Sequence, residues 1–251
     1  MSSSIWTQCA GVSEIRPLRV SPWRVVESQY HVSTRKLVDT IDEQAVLEAL
    51  IDTSKPADPT RGRTHVLLAT PFRYPPLAHG SRFGRKSEGG IWYGAESRRT
   101  MFAEAAYYRF VFLAGTAAAL GLVTTWHTAF TVMADAARAV DLASAPFDAH
   151  RAAISSPTDY GEPQALGAAM RADRVALCRY RSARDVQGGT NIAVFDPAAF
   201  GKAKPRAIET WYGAATADRV EFVRRDWLEP LAFTFPRDEF LVNGALPSPA
   251  V

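Results

Sequence analysis

Apolar residues keep a regular rhythm only in parts of this chain. The strongest stretch is 97–113, where Met101, Ala105, Tyr108 and Phe112 recur at helical spacing and predict a helix with one apolar face. Asp42 predicts the cap of a shorter amphipathic helix whose apolar side is Val46, Leu47, Leu50 and Ile51. Compact apolar runs predict strands at 66–69, 91–93, 124–133, 174–180, 190–195, 206–212 and 219–224, and short helices fit 135–140 and 162–170. Residues 1–35 carry Trp6, Pro17, Pro22, Trp23, Val25 and Val26 without a clear period.

No charged residue lies between Arg109 and Asp135, a length that could span a bilayer. Gly115 and Gly121 interrupt it, and its second half is rich in Thr with a strand-like alternation. The expected structure is the tail of a buried helix, a glycine turn and then a buried strand, with no membrane span.

The polar, proline-containing segment 52–63 is the best candidate boundary. It divides an N-terminal extension, 1–60, expected to pack on the core, from a main domain, 61–251. Strands and helices intersperse without βαβ regularity, so the expected class is α+β. No internal repeat or low-complexity tract is present.

Composition adds little to this picture. With 251 residues, 47% hydrophobic and 22% charged, the chain has enough material for one sizeable core. A net charge of +3 is too mild to argue for nucleic acid or a membrane surface. Cys9 and Cys178 offer no disulfide framework, and the opening residues predict no secretory signal, so a reducing cytoplasm is the expected setting.

Several chemistries drop out by inspection. There is no G-x-x-x-x-G-K-[ST], no G-x-G-x-x-G after a strand, no G-x-S-x-G and no H-E-x-x-H. The five histidines, His31, His65, His79, His127 and His150, are scattered, so no metal site is expected, and His127 reads as a satisfied core residue.

Two stretches remain, Arg73 to Gly90 and Arg179 to Asn191, each combining arginines with glycines. Arginine forks match phosphate oxygens and glycine admits close backbone approach, so the pair suggests a phosphorylated small ligand. Solvated basic surface loops would have the same composition. Between them Glu104 sits mid-helix among mainly apolar neighbours, where a carboxylate must be paired with an arginine or face a ligand.

The runs Pro71-Phe72-Arg73-Tyr74, Gly80-Ser81-Arg82-Phe83-Gly84, Gly90-Ile91-Trp92-Tyr93-Gly94-Ala95-Glu96 and Ala103-Glu104 resemble the front half of the RES domain. Arg179-Tyr180-Arg181-Ser182-Ala183-Arg184 with Gly188-Gly189-Thr190-Asn191-Ile192-Ala193-Val194-Phe195 resembles its back half. The likeness covers 65–200. Arg82, Glu104 and Ser182 fall on the family's three name-giving positions, Tyr93 on a further tyrosine, and Arg73 on an arginine near the domain start. The chain departs from compact members by its N-terminal extension and by a longer stretch between Glu104 and Ser182.

The resemblance implies an ADP-ribosyltransferase-like fold, with small β-sheets around an NAD cleft and flanking helices. It also implies a bacterial toxin held by a helix-turn-helix antitoxin. NAD would be the co-substrate, with no metal. ADP-ribose would pass to a protein acceptor, possible targets including phosphoribosyl pyrophosphate synthetase, or NAD would simply be degraded with water or phosphate as acceptor. Glu104 would stabilise the cationic sugar, Tyr93 would stack on nicotinamide, and Arg82, assisted by Arg73, would hold pyrophosphate or ribose oxygens. Ser182 would hydrogen-bond the substrate or position Glu104. Each has a structural alternative: Tyr93 as a cross-strand packing residue, Ser182 as a turn residue, Arg73 bonding loop carbonyls. A nucleic-acid-binding module, stacking bases on Trp92, Tyr93 and Tyr180, is the rival outside enzymology, though it gives Glu104 no task. A purely structural partner protein is a third reading, and it leaves the basic loops unexplained.

Overall fold

Alternating burial along extended segments builds a sheet with a core on each face. In strand β3, Trp92–Ala95, Trp92 is fully buried on one side while Tyr93 turns to the other. The computed structural model describes residues 4–28, 37–60, 62–74, 76, 78–118, 120–226 and 230–248. Among these, the other strands are β1 Arg16–Val20, β2 Trp23–Glu27, β4 Val123–Thr131, β5 Ala134–Asp141, β6 Leu177–Arg181, β7 Thr190–Val194, β8 Arg206–Ala215, β9 Arg219–Arg224 and β10 Ala232–Pro236. The helices are α1 Ile5–Gln8, α2 Ile41–Ser54, α3 Val66–Arg73, α4 Arg98–Ala114, α5 Arg151–Ile154 and α6 Gly161–Ala172.

The strands join in the order β1-β5-β6-β7-β3-β2-β4-β8-β9-β10. All neighbours are antiparallel except β5 and β6. A mixed α and β architecture is therefore present, but the small separate sheets of the sequence expectation are not. One continuous ten-stranded sheet takes their place. It is nevertheless weakest at its centre. β2 pairs with β4 along its whole length from Trp23 to Glu27, and β3 with β7 from Trp92 to Ala95, whereas β2 and β3 meet at the single pair Trp23 and Ala95. Two five-stranded halves thus part at a central seam.

Helix α4 lies against one half. Ser97 caps it by accepting a hydrogen bond from the Thr100 amide at 3.0 Å, and Gly115 follows its last residue. Phe102, Ala106 and Phe110, with Ala103 and Tyr107, are buried with Trp211, Phe222 and Phe235. The buried face is therefore rotated from the predicted stripe. Tyr108 and Phe112 remain 47% and 52% exposed, and Met101, Ala105 and Tyr108 line a cleft. On the other half, α1 and α6 cover Cys178, Tyr180 and Ala193, while α3 covers the opposite face near Trp92.

Several local expectations are corrected. Residues 66–69 are helical, not extended: the His65 imidazole accepts from the Leu67 amide at 3.3 Å, and Leu68 and Ala69 bury one side of the turn. Residues 135–140 form strand β5 despite their alanines, because β1 and β6 hydrogen-bond to both of its edges and pairing overrides helix propensity. The unpatterned N-terminal stretch supplies α1, β1 and β2, burying Ile5 and Trp6. Part of that stretch, residues 29–35, lies outside the described residues. Asp42 sits inside α2, where Thr40 is the cap and exchanges hydrogen bonds with Glu43. The expected apolar side of α2 is largely open, with Val46, Leu50 and Ile51 exposed. The charge-free stretch does run from the end of α4 through a turn at Gly121 into β4. No described helix is long and apolar enough to cross a membrane.

Candidate functional site

The central seam opens into a cleft of about 290 Å³ between β2, β3 and α4. Its chemistry is built from the deepest point outward. Glu104 projects from the middle of α4, half buried, and its Oε1 accepts from Ser182 Oγ at 2.7 Å and from Asn191 Nδ2 at 2.6 Å. Among the described residues, Oε2 has no protein partner and no cation lies within ion-pair distance of the carboxylate. The arginine pair that would have made Glu104 merely structural is absent from this set.

Ser182 is itself fixed. Its Oγ accepts the Arg184 and Asp185 amides, each at 3.0 Å, so its own proton is directed to Glu104. The loop carrying it is clamped below. Thr100 Oγ1 donates to Asp185 Oδ2 at 2.8 Å, Arg99 lies 3.5 Å from Asp185, and the Arg184 guanidinium stacks 3.5 Å from the Tyr107 ring centroid. Gly189 is required there, because a Cβ would meet Thr100 Oγ1 at 2.0 Å. Ser182 is 5% exposed and does not line the cleft, so it positions the carboxylate from behind.

The cleft wall carries two arginines against this one carboxylate. Arg82 donates to the Ile154 and Ser156 carbonyls at 3.2 and 2.9 Å and lies over the Tyr160 ring at 5.0 Å. Arg24, on β2, donates to the Tyr93 carbonyl at 2.5 Å and covers Trp92 at 5.2 Å. Burial lowers the Arg24 pKa to about 10, which leaves it cationic at neutral pH. Tyr93 donates its hydroxyl to Ser81 at 3.0 Å and accepts from the Phe83 amide at 3.2 Å. Burial pushes its phenol up to about 12, so it stays neutral. Tyr180 is raised in the same way, with Glu104 adding to the effect.

Two buried polar atoms of this wall, Arg24 Nε and Asn191 Oδ1, have no hydrogen-bond partner among the described residues. Both atoms are closed off from the open cleft, so they mark unspent hydrogen-bonding capacity behind the wall rather than contacts presented to a ligand. The surplus positive charge of the wall fits an anionic ligand.

Of the residues singled out in the sequence, Arg82, Tyr93 and Glu104 meet in the cleft and Ser182 stands behind it. Arg73 does not join them. At the end of α3 its Nε donates to the Pro56 carbonyl, and it lines no part of the cleft, so the structural alternative describes it. Arg24 and Asn191 were missed. Asn191 left a signal, a lone amide beside the buried run Ile192-Ala193-Val194, whereas Arg24 lay in a stretch with no legible period. Trp92 and Tyr180 are buried, Arg179 is paired to Asp141 at 2.5 Å and Arg184 is enclosed, so the base-stacking platform of the rival nucleic-acid reading is not on the surface. His127 is buried as expected, but its Nδ1 lacks a partner. Cys178 is buried, which raises its thiol pKa. Among the described residues no group of His, Cys, Asp or Glu could hold a metal ion.

Comparison with known families shows that the RES domain model aligns with residues 55–217. No curated protein matches the chain.

Proposed function

The chain belongs to the RES domain family, a group of NAD-related enzymatic toxins associated with toxin–antitoxin systems; from that premise we propose that its central cleft binds NAD and breaks the nicotinamide–ribose bond, passing ADP-ribose to a protein acceptor. The observation that carries this reading is Glu104, turned into the cleft with Oε1 held by two donors and Oε2 left open.

Loss of nicotinamide leaves positive charge at the ribose anomeric carbon, while nicotinamide itself departs neutral and needs no general acid. A carboxylate fixed before the reaction stabilises that charge without reorganising, and this is the task of Glu104. Ser182 and Asn191 hold it in place. Arg24 and Arg82, both in the cleft wall, supply charge for the pyrophosphate. Tyr93, neutral and with its hydroxyl held by Ser81 and the Phe83 amide, stacks on nicotinamide. A helix-turn-helix antitoxin that restrains this activity in the bacterial cytoplasm completes the proposal.

The test is release of free nicotinamide from NAD, followed by chromatography. The wild type releases it, and Glu104→Ala lowers the rate about 100-fold, the loss expected for one main electrostatic stabiliser. No release in any condition, with lysate or phosphate added, removes the enzyme reading. Labelled NAD with whole lysate then identifies the acceptor: a labelled protein band supports transfer, whereas soluble ADP-ribose alone means NAD breakdown.

A further inference from the structure

The cleft does not end at Glu104. A second lobe of about 600 Å³ continues along α4 and shares Val25, Ala105 and Tyr108 with the first. From Glu104 to Phe112 the helix advances about 12 Å, a span suited to two joined nucleotides rather than one.

The two lobes differ in charge. In the second, Arg109 is already neutralised, with Nη2 2.5 Å from Glu27 Oε1 and 3.4 Å from Thr125 Oγ1. His127 approaches the same threonine at 3.4 Å. Burial, with Arg109 adding to it, lowers its pKa to about 4, so the imidazole is uncharged at neutral pH. The remaining wall is apolar or aromatic, with Val123 and Phe222 facing the exposed rings of Tyr108 and Phe112. These two residues are one helical turn apart and belong to the stripe that α4 leaves unburied. A charged phosphate gains no uncompensated cation here, whereas a flat, uncharged heteroaromatic ring gains stacking area and two adjustable polar partners, Thr125 and His127.

We infer that this second lobe is the purine subsite of the dinucleotide, holding the adenine ring beside Tyr108 and Phe112 while the first lobe takes the nicotinamide half. The inference rests on the NAD reading for its substrate and adds where the two ends of that substrate lie.

Calorimetric titration of the full chain with AMP, and separately with nicotinamide mononucleotide, tests it. AMP binds the wild type. Phe112→Ala, at an exposed position the fold tolerates, weakens AMP about tenfold, the scale of losing one base–aromatic stack. Val123→Trp, which places an indole in the space the adenine ring would occupy, abolishes AMP binding, and both variants keep nicotinamide mononucleotide within about twofold of the wild type. AMP affinity unchanged in both variants, or equal losses for the two probes, overturns the inference. A lobe that instead receives the acceptor would show AMP and NAD affinity intact in Val123→Trp with protein labelling lost, which also overturns it. The two readings fail separately. Nicotinamide release with AMP indifferent to the plug removes only the subsite. AMP binding that obeys the plug, with no NAD cleavage, removes only the catalysis.

Discussion

The two arginine- and glycine-bearing stretches look interchangeable in sequence and differ in the fold. Between Arg73 and Gly90 the chain mixes exposed and buried positions: Arg85 and Lys86 are exposed, Phe83 is buried, Arg73 is tied to Pro56, and among the described residues Ser81 and Arg82 reach the cleft. Between Arg179 and Asn191 the chain turns inward, with Ser182, Arg184 and Asp185 each at most 6% exposed. The outer stretch lines the cleft with Ser81 and Arg82. The inner one lines it with Tyr180 and Asn191 and also builds the shelf that aims a carboxylate into it. Composition suggested phosphate contact for both, but each arginine's task follows from where its guanidinium lies: Arg82 lines the cleft although only 8% exposed, whereas Arg184 is enclosed against Tyr107.

The sharpest way to break this contrast is to remove one arginine from each loop. Arg184 stacks on Tyr107 and donates to the Pro157 carbonyl at 2.9 Å. Arg184→Ala is expected to lower unfolding free energy by roughly 3 kcal/mol, combining a desolvated cation–π contact with a buried hydrogen bond. Arg85→Ala should change it by less than about 0.5 kcal/mol, as exposed substitutions usually do. Urea denaturation measures both, and equal effects would erase the distinction between the loops.

A smaller change probes what the shelf is for. Ser182→Ala removes the proton given to Glu104 and the acceptor for two amides, a stability loss of about 1–2 kcal/mol. Because Asn191 still holds Oε1, the carboxylate loosens but stays in the cleft. Nicotinamide release should therefore fall about tenfold in kcat with KM little changed, less than for Glu104→Ala. A KM effect with kcat intact would mean Ser182 touches substrate rather than positioning the carboxylate.

How much of this was readable beforehand follows the same division between local and long-range causes. Helix α4, strands β3, β4, β7 and β9, and the meeting of Arg82, Tyr93 and Glu104 came from local periodicity and from an ordered set of motifs. What stayed hidden depended on partners far along the chain. Strand β5 is extended because β1 and β6 flank it, not because Asp135-Ala136-Ala137 prefers to be. The helix at Val66–Arg73 begins with a histidine cap that a short apolar run does not advertise. Of the apolar stripe Met101, Ala105, Tyr108 and Phe112, Met101 is buried in the core as expected and Ala105 packs against it, whereas Tyr108 and Phe112 stay exposed. The stripe's residues wall the two lobes, and a sequence cannot distinguish an apolar surface kept for a ligand from one kept for a sheet.

Arg24 and Arg73 bring the comparison to its finest point, since both compete for one role and only one can reach it. Arg73 belongs to the outer stretch and has its Nε engaged by Pro56. Arg24 comes from β2, outside the family match at 55–217, yet crosses the seam to bond the Tyr93 carbonyl and lines the cleft. A hydrogen bond to a charged group is worth about 1.5–3 kcal/mol, so Arg24→Ala should raise KM for NAD about tenfold or more. Arg24→Lys should recover little, because an ammonium cannot span both the carbonyl and the ligand as a guanidinium does. Arg73→Ala should leave KM within about twofold, any loss appearing as stability near Pro56. Steady-state nicotinamide release for the three variants decides between them. If Arg73→Ala proves the more damaging, the outer stretch closes onto the ligand in a way its bond to Pro56 does not permit, and the phosphate end of the cleft must be redrawn around it.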